Sequence, residues 1–518
     1  MKKKLRSLLR IVFGRTAFML LFIMLQLAFF FGIVHWISSE YSLISYAGLH
    51  LLGTLTCIYI YNKPENPSFK LSWIIPVLAF PVFGTLLYLY VELEISGRII
   101  SKRANRLVKE SRIYLQQDQK VLSHLENEDD RLSGLVNYVG EFGGFPIYEN
   151  YTAEYFPSGE QKFERLKEEL EKARKFIFME YFIVEHGVMW DTILEILERK
   201  AKEGVEVRFM YDGMCSIALL PYHYPKILEA KGIHCHAFAP IKPALSTYQN
   251  NRDHRKIVVI DGHTAFTGGV NLADEYINVK ERFGYWKDVA VMIKGEAVKN
   301  FTIMFLQMWN IWEKTPLDYE KYLSHDLPQQ IERRRSEGFV LPYGDSPLDH
   351  EPVGKMVYLD ILNTAKKYVH IMTPYLILDD ETINALRYAA KRGVDVKIIM
   401  PDIPDKKYAF LLAHTYYLEL MDAGVQIYQF RPGFVHAKVF TSDDTKAVVG
   451  SINLDFRSLY HHFECAAFMY KNQVVGDIEN DFQSTLEKCR RIGPEEIFHA
   501  PLWKKLAGTI LKLIAPMM

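Results

Sequence analysis

Two stretches decide how this chain reads. The first is His254-Arg-Lys256-Ile-Val-Val-Ile-Asp261, followed six residues on by Gly268-Gly-Val-Asn271. The second is His436-Ala-Lys438-Val-Phe-Thr-Ser-Asp443, followed six residues on by Gly450-Ser-Ile-Asn453. Both fit one pattern, H-x-K-x4-D-x6-G-[GS]-x-N. His, Lys and Asp at three fixed positions recur by chance about once per ten thousand positions at average composition. Two matches in the same register, each with the Gly and Asn echo, are a repeat. Residues two apart on a strand share a face, so each His points the same way as its Lys.

The repeat extends upstream. Phe176–Val184 is an apolar strand-like run, followed by a helical pattern that ends at Lys200-Ala-Lys-Glu-Gly204 before Val205-Glu-Val-Arg208. Val369–Ile377 and then Ala390-Lys-Arg-Gly393 before Val394-Asp-Val-Lys397 repeat that order. Ala230-Lys-Gly-Ile233 and Asp422-Ala-Gly-Val425 form a further shared block. Strand, helix, glycine stop and strand in both copies predict βαβ units around a largely parallel sheet. The expected fold class is therefore α/β, in two pseudo-symmetric halves with mixed or parallel sheets and flanking helices.

Packed about a pseudo-twofold axis, two such halves bring two histidines and two lysines into one cleft. A neutral imidazole can attack phosphorus, and a protonated one can protonate a leaving oxygen. Lys256 and Lys438 would neutralise non-bridging phosphate oxygens, and the Asn271 and Asn453 amides would hydrogen-bond to them. This is a site for phosphoryl transfer through a histidine adduct, with no metal and no cofactor. An isolated histidine reads better as a core residue; the doubled pattern reverses that. His234-Cys-His236 has no third ligand at metal-site spacing. Cys57, Cys215, Cys235, Cys465 and Cys489 include no CxxC pair.

Composition bounds the rest. The 518 residues are 49% hydrophobic and 24% charged, which excludes a disordered chain. Lys and Arg total 62, as do Asp and Glu, which argues against a nucleic-acid binder. The apolar residues are uneven: residues 16–39, 41–62 and 71–91 hold no Asp, Glu, Lys or Arg. A membrane-crossing helix needs about 20 mainly apolar residues. Residues 1–94 are accordingly expected to form a basic N-terminus and a helical transmembrane module. Pro76, Pro81 and Gly84 allow the third run to be re-entrant or interfacial. Basic clusters at Lys2–Arg15 and Arg98–Arg112 both favour the cytoplasm, which two crossings would reconcile. Residues 95–131 read as a helical connector, 132–330 as the first half and 331–518 as the second. The last segment, Trp503–Ile514, places Trp503, Leu506, Ala507, Ile510, Leu511 and Ile514 on one helical face. Contact with lipid and docking on the body fit it equally.

The doubled motif resembles that of the phospholipase D superfamily, over roughly residues 135–518. Within it, the N-terminal runs and the motif flanks Gly269-Val-Asn-Leu-Ala-Asp-Glu-Tyr276 and Gly450-Ser-Ile-Asn-Leu-Asp-Phe-Arg-Ser458 are similar to those of bacterial cardiolipin synthases. The resemblance implies one site between two halves, with His254 as nucleophile and His436 as general acid, then base. Asp261 and Asp443, counted with the catalytic set, match motif aspartates that support the site. Asp288 and Glu464 match carboxylates that orient an imidazole, and Ser451 falls among the phosphate-binding or orienting groups. His462 stands where the family often has Asn. The implied reaction joins two phosphatidylglycerol molecules into cardiolipin, releasing glycerol, at a bacterial cell membrane with the catalytic body on the cytoplasmic side. A hydrolytic phospholipase D, a phosphatidyltransferase with other substrates, and an inactive membrane scaffold are the alternatives.

Overall fold

The computed structural model describes Met24 and residues 39–92, 95–221, 223–239, 251–323, 336–499 and 501–517. Apart from Met24 and Ser39, the first apolar run lies outside the described residues. The chain divides into two units, one of residues 1–99, 241–250 and 512–518, and one of residues 100–240 and 251–511.

In the first unit, α1 (Ser39–Tyr61), α2 (Pro67–Ala79) and α3 (Pro81–Glu92) pack on one another. The third apolar run is two helices, because Pro81 cannot donate a backbone hydrogen bond and leaves Phe80 at φ −137°, ψ 74°. Gly84 lets α3 approach α2: a Cβ there would lie 2.6 Å from the Pro76 carbonyl oxygen. Ile60, Val77 and Tyr88 form a small core. Leu51, Leu55, Leu71, Leu78 and Leu86 are all at least half exposed. Among the described residues no helix is long and apolar enough to cross a membrane. α1 covers the second run but is interrupted by Gly48, His50, Gly53, Thr54 and Thr56. The transmembrane reading of residues 1–94 thus gains no spanning helix here.

The second unit holds both motif copies. Its first half contributes β1 (Tyr151–Phe156), β2 (Phe176–Tyr181), β3 (Glu206–Asp212), β4 (His234–Phe238), β5 (Arg252–Asp253), β6 (Ile257–Ile260), β7 (Thr264–Gly268), β8 (Tyr285–Lys287) and β9 (Ala290–Gly295). Its second half contributes β10 (Phe339–Asp345), β11 (Tyr368–Met372), β12 (Asp395–Pro401), β13 (Gln426–Phe430), β14 (Gly433–Val435), β15 (Val439–Ser442), β16 (Lys446–Gly450), β17 (His462–Tyr470) and β18 (Cys489–Arg491). The sheet orders are β1-β9-β7-β6-β2-β3-β4 and β10-β17-β16-β15-β11-β12-β13-β18. Strand for strand the first seven positions correspond. In each half the two βαβ units are parallel and the strands around the motif are antiparallel, so the sheets are mixed. Residues 95–131, expected as a helical connector, are largely helical, and Leu107, Val121 and Leu125 within them are buried.

Two short pairings cross between the halves. β5 runs parallel to the start of β17, and β8 parallel to β14. They lie just before His254 and His436, and so fix where both histidines emerge.

The motif aspartates lie away from the motif histidines and lysines. Each follows its strand, β6 or β15, at the end opposite the His and Lys. The Asp261 carboxylate accepts hydrogen bonds from the backbone N–H groups of Arg174, Lys175 and Phe176. Asp443 does the same for Lys366, Lys367 and Tyr368. Both sit in the left-handed region, at φ 53° and 55°, which Asp tolerates better than most residues. They are struts that tie β6 to the start of β2, and β15 to the start of β11. Asp261→Ala removes three charge-assisted bonds and the residue's suitability for positive φ, and is expected to cost about 2–4 kcal/mol. A lowered unfolding midpoint, with Asp261→Asn less affected, checks this.

Candidate active site

Each motif histidine is held at two points by the opposite half. The His254 backbone N–H donates to the Phe463 carbonyl at 3.0 Å. Its Nδ1 lies 2.8 and 2.9 Å from the two oxygens of Glu464, the next residue. In mirror fashion, the His436 N–H donates to the Lys287 carbonyl at 2.7 Å, and its Nδ1 lies 2.6 Å from Oδ2 of Asp288. With Nδ1–H given to a carboxylate, Nε2 of each ring is the nitrogen left to react. Asp288 and Glu464 thus meet the imidazoles as the resemblance implied, but across the halves. Arg255 adds a further stitch, donating from Nε to the Glu464 carbonyl at 3.1 Å and from Nη2 to the Asp345 carbonyl at 3.3 Å.

The two brackets are not identical. Glu464 also accepts from the Ser451 hydroxyl and, at 2.6 Å, from the Ser458 hydroxyl. Asp288 accepts, besides His436, from the Val289 N–H at 2.9 Å. Gly269 takes the place of Ser451 in the first half, and a Cβ there would lie 2.0 Å from Oδ1 of Asp288. A shorter carboxylate against glycine in one half matches a longer one capped by serine in the other.

Lys256 and Lys438 are buried, at 2% and 1% exposure. Both ammonium groups fold back to their own histidine's carbonyl, and Lys438 Nζ is also 3.0 Å from His436 Nδ1. Phe182 packs edge-on to His254 with centroids 4.6 Å apart, and Tyr276 to His436 at 5.3 Å. Trp286 lies 5.4 Å from the His436 ring.

This crowding of cations out of water shifts the ionisation of the site. Burial first, then the charges of Lys256, Lys438 and His436, push His254 well below the usual imidazole range. Burial and Lys438 push His436 down to about 4, against the opposing pull of Asp288. Burial lowers Lys256 to about 8 and Lys438 to about 7. Burial raises Asp288, but His436 and Lys438 outweigh it and hold the carboxyl below its ordinary value. The resting site has two neutral imidazoles, and a bound anion would favour protonation of His436 and Lys438.

The other expected residues divide. Ser451 supports Glu464 and is not turned to a phosphate. Asn271 accepts from the Ile183 N–H and donates to the Tyr276 hydroxyl at 2.7 Å, so it buttresses the wall beside His436. Asn453 is buried, and its side-chain oxygen has no partner among the described residues. His462 is also buried, with Nδ1 3.7 Å from Oε1 of Glu464 and neither ring nitrogen within hydrogen-bond distance of a partner among the described residues. Ligand atoms of His254, His462 and Glu464 fall within 4.8 Å of one another, close enough for a metal ion. Glu464 is already committed to His254 and two hydroxyls, and two lysines stand nearby, so this donor set suits a cation poorly. His236 instead meets Glu313 at 3.1 Å and stacks on Trp309, and Cys235 is buried away from it. Phe182, Tyr276, Trp286 and Ser458 were not singled out by sequence. Neither were Glu180 and Asp253, fully buried next to β6. Tyr276 and Ser458 carried a signal, each as the last residue of a motif flank that follows Asn271 or Asn453.

Two outcomes follow for the intact enzyme. An entering phosphate should raise His436 from about 4, so protons are taken up on binding near neutral pH. Uptake should vanish as pH falls below that value, where the ring is already charged. Calorimetry of inorganic phosphate binding in buffers of different ionisation enthalpy should find net proton uptake near neutral pH, with Lys438, held at about 7, adding to that of His436. Asp288→Asn keeps the shape but loses the charge that orients His436. It should lower kcat about 10²–10⁴-fold with little change in KM, and shift the acid limb of the pH profile.

The family model for the phospholipase D-like domain of cardiolipin synthase matches residues 166–309 and 358–486, more than half the chain. A phospholipase D-nuclease N-terminal model matches residues 51–91. A cardiolipin synthase from Alkalihalophilus pseudofirmus is 31% identical over 483 residues, covering 91% of this chain and 94% of that protein. Cardiolipin synthase 2 of Bacillus anthracis is 31% identical over 460 residues, 89% of this chain and 88% of that one. The phosphatidylserine synthase of Haemophilus influenzae shares the fold, with a TM-score of 0.54 at 14% identity over 71% of this chain and 95% of that one. With a doubled motif crossed at its centre and relatives matched almost end to end, the chain belongs to the cardiolipin synthase family of phosphatidyltransferases in the phospholipase D superfamily.

Proposed function

We propose that this enzyme makes cardiolipin from two molecules of phosphatidylglycerol. The observation that carries the reading is the pair of buried imidazoles, each fixed through Nδ1 by a carboxylate of the other half, beside two buried lysines. The phosphodiester of the first lipid enters between Lys256 and Lys438. Its charge raises His436, which takes up a proton. His254 Nε2 attacks phosphorus, the phosphorus–oxygen bond to the headgroup glycerol breaks, and His436 gives its proton to that oxygen. The terminal hydroxyl of a second phosphatidylglycerol then gives its proton to His436. Its oxygen attacks the same phosphorus, the phosphorus–nitrogen bond breaks, and cardiolipin is formed with His254 restored. One phosphodiester replaces another, so no nucleotide or other cofactor is needed.

The asymmetry between the brackets supports this division of roles. Two hydroxyls draw charge from Glu464, so it stabilises an imidazolium less and leaves His254 a neutral nucleophile. Asp288, with no hydroxyl donor among the described residues, keeps more charge to offset the imidazolium on His436. Lys256 and Lys438 hold the phosphate oxygens.

The proposed location is the bacterial cell membrane, with multi-pass attachment through the N-terminal runs and the catalytic unit on the cytoplasmic side. The exposed leucines of α1, α2 and α3 fit a lipid environment. Holding the enzyme there raises the effective concentration of a lipid acceptor over water.

Purified full-length enzyme given labelled phosphatidylglycerol in detergent should form cardiolipin and glycerol. Phosphatidic acid without cardiolipin would replace this reading with hydrolysis. After quenching, label should remain on His254 in the wild type and be absent in His254→Ala.

A further inference from the structure

The C-terminal helix, α4 (Leu502–Ile514), carries a face that the catalytic reading leaves unused. At 100° per residue, Leu502, Trp503, Leu506, Ile510, Leu513 and Ile514 fall within about a third of its circumference. Burial would be expected of such a stripe. Instead Leu502 is 80% exposed, Leu506 63%, Trp503 62% and Ile510 59%. Another side of the helix is the docked one. Gly508 is buried, and a Cβ there would lie 2.7 Å from Thr415 Cγ2 and 3.3 Å from the Leu411 carbonyl oxygen. Ala507 and Leu511, half-buried, complete that seat. The glycine is what turns the large apolar side chains outward: it brings the smallest residue to the neighbouring helix Lys407–Asp422.

The charge on the helix selects among occupants. Lys504, Lys505 and Lys512 are exposed, with Lys505 and Lys512 on one flank of the apolar stripe. No Asp or Glu occurs after Glu496. An apolar stripe with a tryptophan near its start and lysines along one border matches a helix lying in the headgroup region of an anionic bilayer. A second copy of the same helix would oppose lysine to lysine.

We propose that α4 is a lipid-binding surface that lies in the interface of an anionic membrane, with Trp503, Leu506 and Ile510 inserted below the headgroups.

The test uses full-length enzyme in vesicles of phosphatidylglycerol and brominated phosphatidylcholine. Bromine near the glycerol backbone should quench the Trp503 component, taken as wild type minus Trp503→Phe, by at least about half. Bromine at the acyl ends should quench it less. Leu506→Glu/Ile510→Glu should lower turnover on vesicle phosphatidylglycerol about tenfold and leave turnover on a dispersed short-chain analogue unchanged. An unquenched Trp503 component overturns the proposal. So does a Trp503 that cross-links to a second copy in place of quenching. Quenching does not depend on turnover, so inactivity towards phosphatidylglycerol would remove the proposed reaction and leave this proposal standing.

Discussion

The structure depends on one exchange: each motif imidazole takes its carboxylate from the other half. Glu464 holds His254 and Asp288 holds His436, and the residue before each carboxylate also holds the histidine's backbone. These bonds are charge-assisted and out of water, where they are worth more than at a surface. They position the chemistry and join the halves at once. Moving one half by an ångström would spoil both sites of attachment together. The short pairings β5 with β17 and β8 with β14, and the Arg255 bonds to the carbonyls of Glu464 and Asp345, serve the same registration.

What makes this interior tolerable is that its polar groups are mostly assigned. Two lysines, three histidines and two carboxylates lie within it, a set that burial alone would make prohibitive. The histidines remain uncharged, the lysines lean on carbonyl oxygens, and serine hydroxyls take up charge on Glu464. With the histidines neutral, the two carboxylates offset the two ammonium groups and leave no positive charge over. On the proposed reaction a phosphodiester would favour the protonated forms of His436 and Lys438, which would link binding to proton uptake.

The doubled His-Lys pattern was readable because a strand reports its own face through a spacing of two. The βαβ order was readable because glycine stops leave a fixed sign. The crossing of Asp288 and Glu464 was not. A carboxylate's distance along the chain carries no information about which of two similar histidines it will meet, 148 or 210 positions away. How Asp261 and Asp443 give support was equally hidden: a motif position can be demanded by backbone geometry, here left-handed φ and three N–H groups, as strictly as by chemistry. The apolar count over residues 71–91 suggested one long segment, although Pro81 marks where the helix must stop. Composition could say that Trp503–Ile514 is amphipathic, but only the seat of Gly508 shows which side faces out.

The pairing of Gly269 with Asp288 and of Ser451 with Glu464 has a consequence for descent. Two copies that began alike have become complements, one with a short acid and no side chain behind it, the other with a long acid and a hydroxyl. The heritable unit is then not the half but the crossed pair. A substitution in one copy is judged by a residue in its sibling, and neither copy can drift as an independent duplicate would.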